Sequence, residues 1–230
     1  VVVSDDNALR FWKNYRKKLF PDIPTVFLGI NNYTDAKAAD SMNEVTGIAE
    51  VLDYNSSFDL MRSLFPSRNH VVAIVDSSIT ARGEYALFQD VSAQYPKLTY
   101  SVLNTMDYSE SGLVKALQKL GDNDIILYLD FLEDGDGNIY TERTASSLLA
   151  DNAPDVPIMR VSSANVERGV FGGIVYSHYD AGVLAGEMTA KIARGTPLGD
   201  IPMVDHPITT AIFDQNALDH FGISIRELPT

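Results

Sequence analysis

The sequence predicts an α/β fold in which parallel sheets carry helices on both faces. Short apolar runs alternate with amphipathic stretches along all 230 residues, which is the pattern of strand–helix–strand units. Several apolar runs are continuous Val, Ile and Leu runs rather than alternating ones, as expected of strands that are buried on both faces. Crossovers between parallel strands are then expected to be right-handed.

This pattern predicts strands and helices in regular alternation. The predicted strands are 1–3, 25–30, 45–51, 70–75, 98–103, 124–129, 157–161, 173–176 and 209–213. The predicted helices are 7–20, 57–65, 81–95, 109–120, 142–152, 181–194 and 216–221. Gly121 and Gly195 stand where helix C-terminal glycines belong, and Pro21, Pro66 and Pro96 fall just past helix ends, where proline stops a helix.

The composition limits the possible functions. Hydrophobic residues make up 45% of the chain, enough to bury a core, and 31 Asp and Glu against 18 Lys and Arg give a net charge of −13. Because phosphate backbones and anionic membranes repel such a surface, nucleic-acid binding is not expected. The absence of cysteine excludes disulfides, thiolate zinc sites and cysteine nucleophiles. No run of about 18 apolar residues is present that could cross a membrane.

Small polar and acidic clusters follow most of the predicted strands. In open α/β sheets, ligands bind outside the carboxyl ends of the strands, so these clusters are the expected site. The predicted ligand-binding residues are Asp5, Asp6, Asn31, Asn32, Tyr33, Asp76, Ser77, Thr80, Asp130, Phe131, Asn165 and Tyr176. Tyr33, Tyr54, Phe131 and Tyr176 are candidates for stacking on a ligand ring. The alternative is that the Asp, Asn and Ser side chains only cap the following helices.

One acidic loop invites a calcium interpretation. Asp134, Asp136 and Asn138 fit the first three ligand positions of an EF-hand loop, but positions 6 and 12 are Ile139 and Ala145. The turn glycine and the bidentate glutamate are therefore missing, and a tight Asp-Gly turn is expected instead. The four histidines are far apart in sequence and form no i,i+4 pair, so no metal site is predicted.

Signatures of catalysis are also missing. No Gly-x-Ser-x-Gly elbow, no phosphate loop ending in Lys-Ser or Lys-Thr, and no Gly-x-Gly-x-x-Gly follows a predicted strand. The glycine-rich segment 169–173 precedes a strand and cannot hold a phosphate at a helix N-terminus. No enzyme activity and no cofactor are therefore predicted. An α/β enzyme remains the alternative that a turnover screen would have to revive.

Several segments together resemble a known family. The first group is VSDDNAL at 3–9, LFP at 19–21, IPTVFLGINN at 23–32, VTGIAE at 45–50 and LFP at 64–66. The second group is GGIV at 172–175, AGE at 185–187, Gly195-Thr196-Pro197, DIP at 200–202, FD at 213–214, FGI at 221–223 and LP at 228–229. In this order they resemble the ABC-transporter substrate-binding-protein-like domains found outside the membrane in bacterial sensor histidine kinases and diguanylate cyclases. They are also similar, more weakly, to free solute-binding lipoproteins of ABC importers.

The resemblance implies a type I periplasmic-binding-protein fold, in which two Rossmann-like lobes with parallel sheets are joined by a multi-strand hinge. Lobe 1 would hold 1–50 plus 170–198, and lobe 2 would hold 51–169 plus 199–230. The hinge would lie near 50–54, 165–170 and 199–203, where a few residues absorb the backbone rotation. About 60–70 residues precede the Ser-Asp-Asp strand in such families, so the first lobe is expected to be N-terminally truncated here.

The resemblance also implies a function without catalysis. We expect an extracytoplasmic sensor domain that closes on a polar ligand and relays closure to a membrane-linked kinase or cyclase in the same chain. The ligand would be an amino acid, amine, sugar or small peptide. The alternative is a free solute-binding protein that delivers its ligand to an ABC permease. Either protein would lie in the periplasm or at the outer face of the bacterial cytoplasmic membrane.

Overall fold

The computed structural model describes residues 1–163 and 166–229, and the chain divides into two compact units. Unit 1 comprises Val1–Leu52 and Tyr176–Ile208, and unit 2 comprises Asp53–Val175 and Thr209–Thr230. Asn165, one of the predicted ligand-binding residues, lies outside the described residues. Within the described ranges, every helix falls short of the length and apolarity that a membrane crossing requires.

All of the predicted strands are present, and their bounds differ from the predictions by two residues at most. The strands are β1 (Val2–Ser4), β2 (Thr25–Ile30), β3 (Val45–Ala49), β4 (His70–Val75), β5 (Thr99–Asn104), β6 (Asp124–Tyr128), β7 (Ile158–Arg160), β8 (Gly172–Tyr176) and β9 (Thr209–Phe213). The helices are α1 (Asp6–Leu19), α2 (Tyr33–Asp40), α3 (Tyr54–Leu64), α4 (Ile79–Ser92), α5 (Glu110–Leu117), α6 (Glu142–Asn152), α7 (His178–Ala193) and α8 (Gln215–Phe221).

Unit 1 is built on a three-stranded sheet in the order β1-β2-β3, and both neighbouring pairs are parallel. Helices α1, α2 and α7 pack against these strands. Trp12, the chain's one tryptophan, lies in the core of this unit with 2% of its surface exposed. Its neighbours in the core include Leu9, Phe27, Ile30, Ala36, Ala39 and Val45.

Strands β2 and β3 approach each other so closely that Gly47 is required. A Cβ at this position would lie 2.3 Å from the carbonyl oxygen of Phe27 and 2.5 Å from Cγ of its ring. Just beyond, the pairing register shifts between Phe27 and Ile30, and Gly29 adopts a φ of 62°. Such a bulge bends a strand and redirects the residues that follow it. The strand ends still meet, because the Glu50 N–H donates to the Ile30 carbonyl at 3.0 Å.

Unit 2 is built on a six-stranded sheet in the order β5-β4-β6-β7-β8-β9. The pairs from β5 through β8 are parallel, as the continuous apolar runs predicted. The core beneath β4, β6 and β7 is formed with residues of α5 and α6, among them Val72, Ile74, Leu113, Leu117, Ile126, Tyr128, Phe131 and Leu149.

Helix α2 was not predicted, because its apolar signal is weak. It has only eight residues, and its buried side chains are the small Ala36 and Ala39. The polar run before it contains its start signal, since the Asn32 side chain accepts from the Asp35 N–H at 3.1 Å. Part of the predicted polar cluster at 31–33 is therefore a helix cap and a first helical residue.

Three other helices begin two or three residues earlier than predicted, at Tyr54, Ile79 and His178. In each case the side chain of the residue directly before the helix accepts a hydrogen bond from a backbone N–H of the first turn. These cap residues are Asp53, Ser78 and Ser177. The predicted starts, Ser57, Ala81 and Ala181, lie inside the first turn of these helices, because the polar residue before each helix was not recognised as its cap.

The units change over at different residues from the predicted lobes. Segment 170–175 was assigned to lobe 1, but Gly172 pairs with Met159 and the Phe171 N–H donates to the Ile158 carbonyl, so it belongs to unit 2. Segment 199–208 was assigned to lobe 2. This segment belongs to unit 1, because Val204 forms a parallel β-bridge with Ile48. Hydrogen bonds to residues distant in sequence place both segments, and no local periodic pattern indicates such partners.

Candidate functional site

The carboxyl ends of β1, β2 and β3 bring a set of polar residues together in unit 1. Asp6 follows β1, and its two carboxylate oxygens accept from the Asn31 and Asn32 N–H groups at 3.3 Å each. Burial raises the pKa of Asp6, and the two N–H donors oppose that effect. Asp6 therefore fixes the loop after β2 while remaining a partly exposed carboxylate at the sheet edge.

Glu50 is a member of this set that the sequence analysis did not select as a ligand-binding residue. It directly follows β3, and only 8% of its surface is exposed. Burial raises the pKa of Glu50 to about 7; a hydrogen bond from the Asn31 side chain lowers it, and the nearby Asp6 and Asp5 raise it. Its Oε1 lies 3.8 Å from His178 Nε2.

Tyr176 ends β8 and lies near Glu50. Its side chain is fully buried, and its hydroxyl has no hydrogen-bond partner among the described residues. Burial raises its pKa, and the charge of Glu50 adds to the effect. The ring packs edge-on against His178, with 5.3 Å between the centroids. A buried hydroxyl without a partner is uncommon in folded proteins and needs an explanation.

Three other predicted residues of unit 1 have roles in the local structure. Asp5 caps α1, because its Oδ1 accepts from the Asn7 N–H at 2.8 Å. Asn32 caps α2, as described above. Tyr33 is exposed, its hydroxyl donates to Asp205 at 3.2 Å, and Lys37 Nζ lies 5.4 Å from its ring centre. The capping alternative accounts for Asp5 and Asn32 without any ligand.

The carboxyl ends of β4 and β6 bring a second set together in unit 2. Asp76 is buried and accepts from the Ser78 and Leu132 N–H groups at 2.8 Å each. Ser78 caps α4 and donates its hydroxyl to Asp130 at 3.2 Å. Ser77 is exposed, and Thr80 is partly exposed in the first turn of α4. Asp76, Ser77, Thr80 and Asp130 thus surround the start of one helix.

Asp130 has an unusual ionisation within this second set. Burial, and next the charge of Asp76, raises the pKa of Asp130 to about 6, against the effect of the Ser78 hydrogen bond. Arg160 acts in the opposite direction. The Arg160 guanidinium is 2% exposed, donates to Glu142 at 3.0 Å and lies 4.1 Å from the Tyr128 ring centre.

The proposed aromatic stacking residues of unit 2 are part of its interior. Phe131 is fully buried in the core, with its ring centroid 4.5 Å from that of Tyr140. Tyr54 is 2% exposed, and its hydroxyl donates to the Glu84 carbonyl at 3.1 Å. Since neither ring presents a free face, we revise their expected role from ligand stacking to core packing.

In the acidic loop at 134–138, the Asp134 carboxylate is occupied by hydrogen bonds from the loop and from Tyr140. Asp134 accepts from the Asp136 and Asn138 N–H groups, from the Asn138 side chain and from the Tyr140 hydroxyl, all between 2.9 and 3.0 Å. Burial would raise the pKa of Asp134, but these hydrogen bonds outweigh it and lower the value. In the part of the chain that the structure describes, no three His, Cys, Asp or Glu side chains are grouped as a metal ion would require.

Removing divalent cations is therefore expected to leave the thermal stability unchanged. The oxygens that calcium would need are already saturated by hydrogen bonds from the loop, so chelation removes nothing. The melting temperature with and without EDTA should agree within about 1 °C. A fall of several degrees that added calcium reverses would contradict this prediction.

Comparisons with known proteins agree with this fold. The family described as "ABC transporter substrate binding protein" matches residues 16–228. The "Tyrosine-binding protein" of Clostridioides difficile (strain R20291) is 21% identical over 202 residues, which is 86% of this chain and 56% of that protein. The chain thus spans little more than half the length of this curated relative.

Two solved structures are similar in fold. One is a domain from Streptococcus pneumoniae in complex with L-Trp, with a TM-score of 0.69 and 18% identity over 98% of this chain and 76% of that one. The other is a substrate binding protein with adhesive properties from Clostridium difficile, in a ligand-free, open structure. Its TM-score is 0.69, with 14% identity over 97% of this chain and 73% of that one. These likenesses establish the two-lobed α/β fold.

Proposed function

Because the chain belongs to the ABC transporter substrate binding protein family, we propose that it binds a free amino acid outside the cytoplasm. The family match over residues 16–228 carries the binding role, and the tyrosine-binding relative supports an amino acid as the ligand. Proteins of this family bind their substrates without converting them, so the chain is a binding protein and not an enzyme. The tyrosine-binding relative and the L-Trp complex support an aromatic amino acid as the first candidate.

Each unit by itself offers polar groups that suit part of a zwitterionic amino acid. In unit 2, the start of the 14-residue helix α4 offers the hydroxyl of Ser77, just before the cap residue, the hydroxyl of Thr80 in the first turn, and the positive end of the helix dipole; these groups favour a carboxylate. Asp130 in unit 2 and Asp6 and Glu50 in unit 1 offer acceptors for an ammonium group. A sugar or a simple amine would use fewer of these groups.

Two physiological uses fit the same binding chemistry. In one, ligand binding closes the two units and the closure is relayed to a membrane-linked kinase or cyclase, as the Ser-Asp-Asp-Asn and Gly-Ile-Asn-Asn segments favour. In the other, the protein delivers its ligand to an ABC permease, as the family description and the tyrosine-binding relative favour. Loss of labelled amino-acid uptake on gene deletion supports the importer. Loss of a transcriptional or cyclase response with uptake intact supports the sensor.

A thermal-shift screen over the free amino acids, with amines and sugars as comparison classes, tests the proposal. An amino acid at 100 times its Kd adds about 2.7 kcal/mol to the free energy of unfolding. For a chain of this size that raises the melting temperature by about 5–10 °C. A shift given by sugars alone would contradict the proposal, as would the absence of any shift with amino acids at millimolar concentration.

Two variants show whether such a shift comes from the residues described above. Asp130→Asn removes a carboxylate beside the α4 start and should weaken binding at least about tenfold, or about 1.4 kcal/mol. Asp136→Asn is the matched control, since Asp136 is an exposed carboxylate of the same unit in the acidic loop. Equal affinities for the two variants would remove Asp130 from the site.

A further inference from the structure

The carboxyl edge of the unit 1 sheet carries negative charge without a matching cation. Asp5, Asp6 and Glu50 influence one another there. Of the ion pairs among the described residues, none joins these three to a lysine or arginine, and the His178 imidazole at 3.8 Å is the basic group beside Glu50. A carboxylate that is nine-tenths buried is unfavourable unless a positive group or several donors pair with it.

The Tyr176 hydroxyl points independently to a missing group at the same place. It is fully buried, has no hydrogen-bond partner among the described residues, and interacts electrostatically with Glu50. A hydroxyl oxygen has lone pairs that accept from an N–H donor. The missing group would therefore be a positively charged hydrogen-bond donor that reaches both Glu50 and Tyr176.

A protonated amine meets this requirement better than a metal ion. Within residues 1–163 and 166–229, no three acidic or imidazole groups lie close enough together to share a metal ion. Asn31 already donates to Glu50 from one side. An ammonium group needs only two or three acceptors in hydrogen-bonding reach, and the carboxylate and the phenol oxygen supply them.

We infer that Glu50 selects ligands with a protonated amine, which its carboxylate and the Tyr176 hydroxyl bind at the carboxyl edge of unit 1. This role of Glu50 rests on the proposed function and adds to it the group that determines specificity. It also makes binding depend on pH, because a protonated Glu50 cannot hold a cation.

The sign of this dependence follows from the groups around Glu50. Burial keeps the pKa of the free carboxyl near 7, and Asp6 and Asp5 from the α1 side support that value while Asn31 after β2 opposes it. A bound ammonium favours the ionised form, so affinity falls as the pH falls through 7. Protonation of His178 at the start of α7 acts in the same direction, since it adds positive charge beside Glu50. If the pKa in the complex is well below 5.5, affinity at pH 5.5 is about 25-fold weaker than at pH 7.5.

Calorimetry with matched probes tests the inference. The probes are L-tyrosine with tyramine and 3-(4-hydroxyphenyl)propionate, and L-tryptophan with tryptamine and indole-3-propionate. At pH 7.5, the amino acid should bind at least about thirtyfold more tightly than the acid that lacks the amine, because that acid leaves Glu50 unpaired. In Glu50→Gln, which has nearly the shape of the protonated acid, the amino acid should bind about tenfold more weakly. Its pH dependence between 5.5 and 7.5 should shrink to within about threefold.

The outcomes separate this inference from the proposed function. Glu44→Gln is the control, since Glu44 is an exposed carboxylate of unit 1 paired with Arg16, and it should keep the affinity and pH profile of the unchanged protein. If an amino acid binds but its deaminated acid binds equally well, or if Glu50→Gln keeps the full pH dependence, the inference is overturned and the proposed function stands. If none of the amino acids binds, both fall.

Discussion

Replacing Gly47 by alanine is expected to lower the free energy of unfolding by about 3 kcal/mol, at the upper end of the range for an overpacked core. The new methyl group would lie 2.3 Å from the Phe27 carbonyl oxygen, which is backbone and cannot rotate away. Strands β2 and β3 would have to separate, with loss of the hydrogen bonds that hold the loop carrying Glu50. Chemical denaturation monitored by circular dichroism measures the change.

Gly83→Ala is the matched control for this substitution. Gly83 lies inside α4, and a Cβ there meets no atom within 4 Å. Alanine should raise the stability by about 0.5–1 kcal/mol, because glycine loses more conformational freedom on entering a helix. If Gly47→Ala had no more effect on stability than Gly83→Ala, that result would contradict the close approach of β2 and β3 at Gly47.

Replacing Glu142 by leucine is expected to destabilise the protein by about 2–3 kcal/mol. This is less than the loss when one partner of a fully buried ion pair is removed, because the Glu142 side chain is 34% exposed and its charge is partly screened by water. The Arg160 side chain is 2% exposed, so its charge cannot be hydrated once the Glu142 carboxylate is removed. Its remaining acceptors are the Leu129 carbonyl at 3.1 Å and the Tyr128 carbonyl at 3.4 Å, which do not neutralise the charge. Urea denaturation of the variant measures the loss.

The exposed pair of Arg143 and Glu167 gives the comparison for Glu142. Its atoms lie 3.6 Å apart, and both side chains are more than half exposed, so Glu167→Leu should change stability by no more than about 1 kcal/mol. The double variant Arg160→Leu with Glu142→Leu should be more stable than the sum of its single changes predicts. Additive single changes would show that the two side chains do not interact.

The strands could be predicted because burial on both faces leaves an unmistakable apolar run. Helix α2 could not, since a helix that buries only Ala36 and Ala39 has almost no periodic signal. Similarly, the extent of β3 was overestimated by including Glu50 between the apolar Ala49 and Val51, which hid a charged residue at a strand end. If an acidic residue is taken to end a predicted strand, Glu50 is recognised as the residue that follows β3.

The roles of single residues were harder to predict than the elements that carry them. Asp5 and Asp6 are neighbours with the same side chain, yet Asp5 caps α1 and Asp6 binds the backbone of the loop after β2. Phe131 follows a strand, as a ligand-facing residue would, but its ring is buried in the core. Such differences depend on side-chain direction and on partners distant in sequence, which no local pattern records.

The intrinsic fluorescence of Trp12 reports on the folding of unit 1. Because it is the one tryptophan and lies in the core of unit 1, indole emission observes the folding of that unit, whereas the tyrosines are spread over both. The Arg16 guanidinium, 5.3 Å from the indole ring centre, would leave when α1 unravels and so change the emission. Indole emission and the backbone circular dichroism signal therefore coincide only if the two units unfold as one cooperative block.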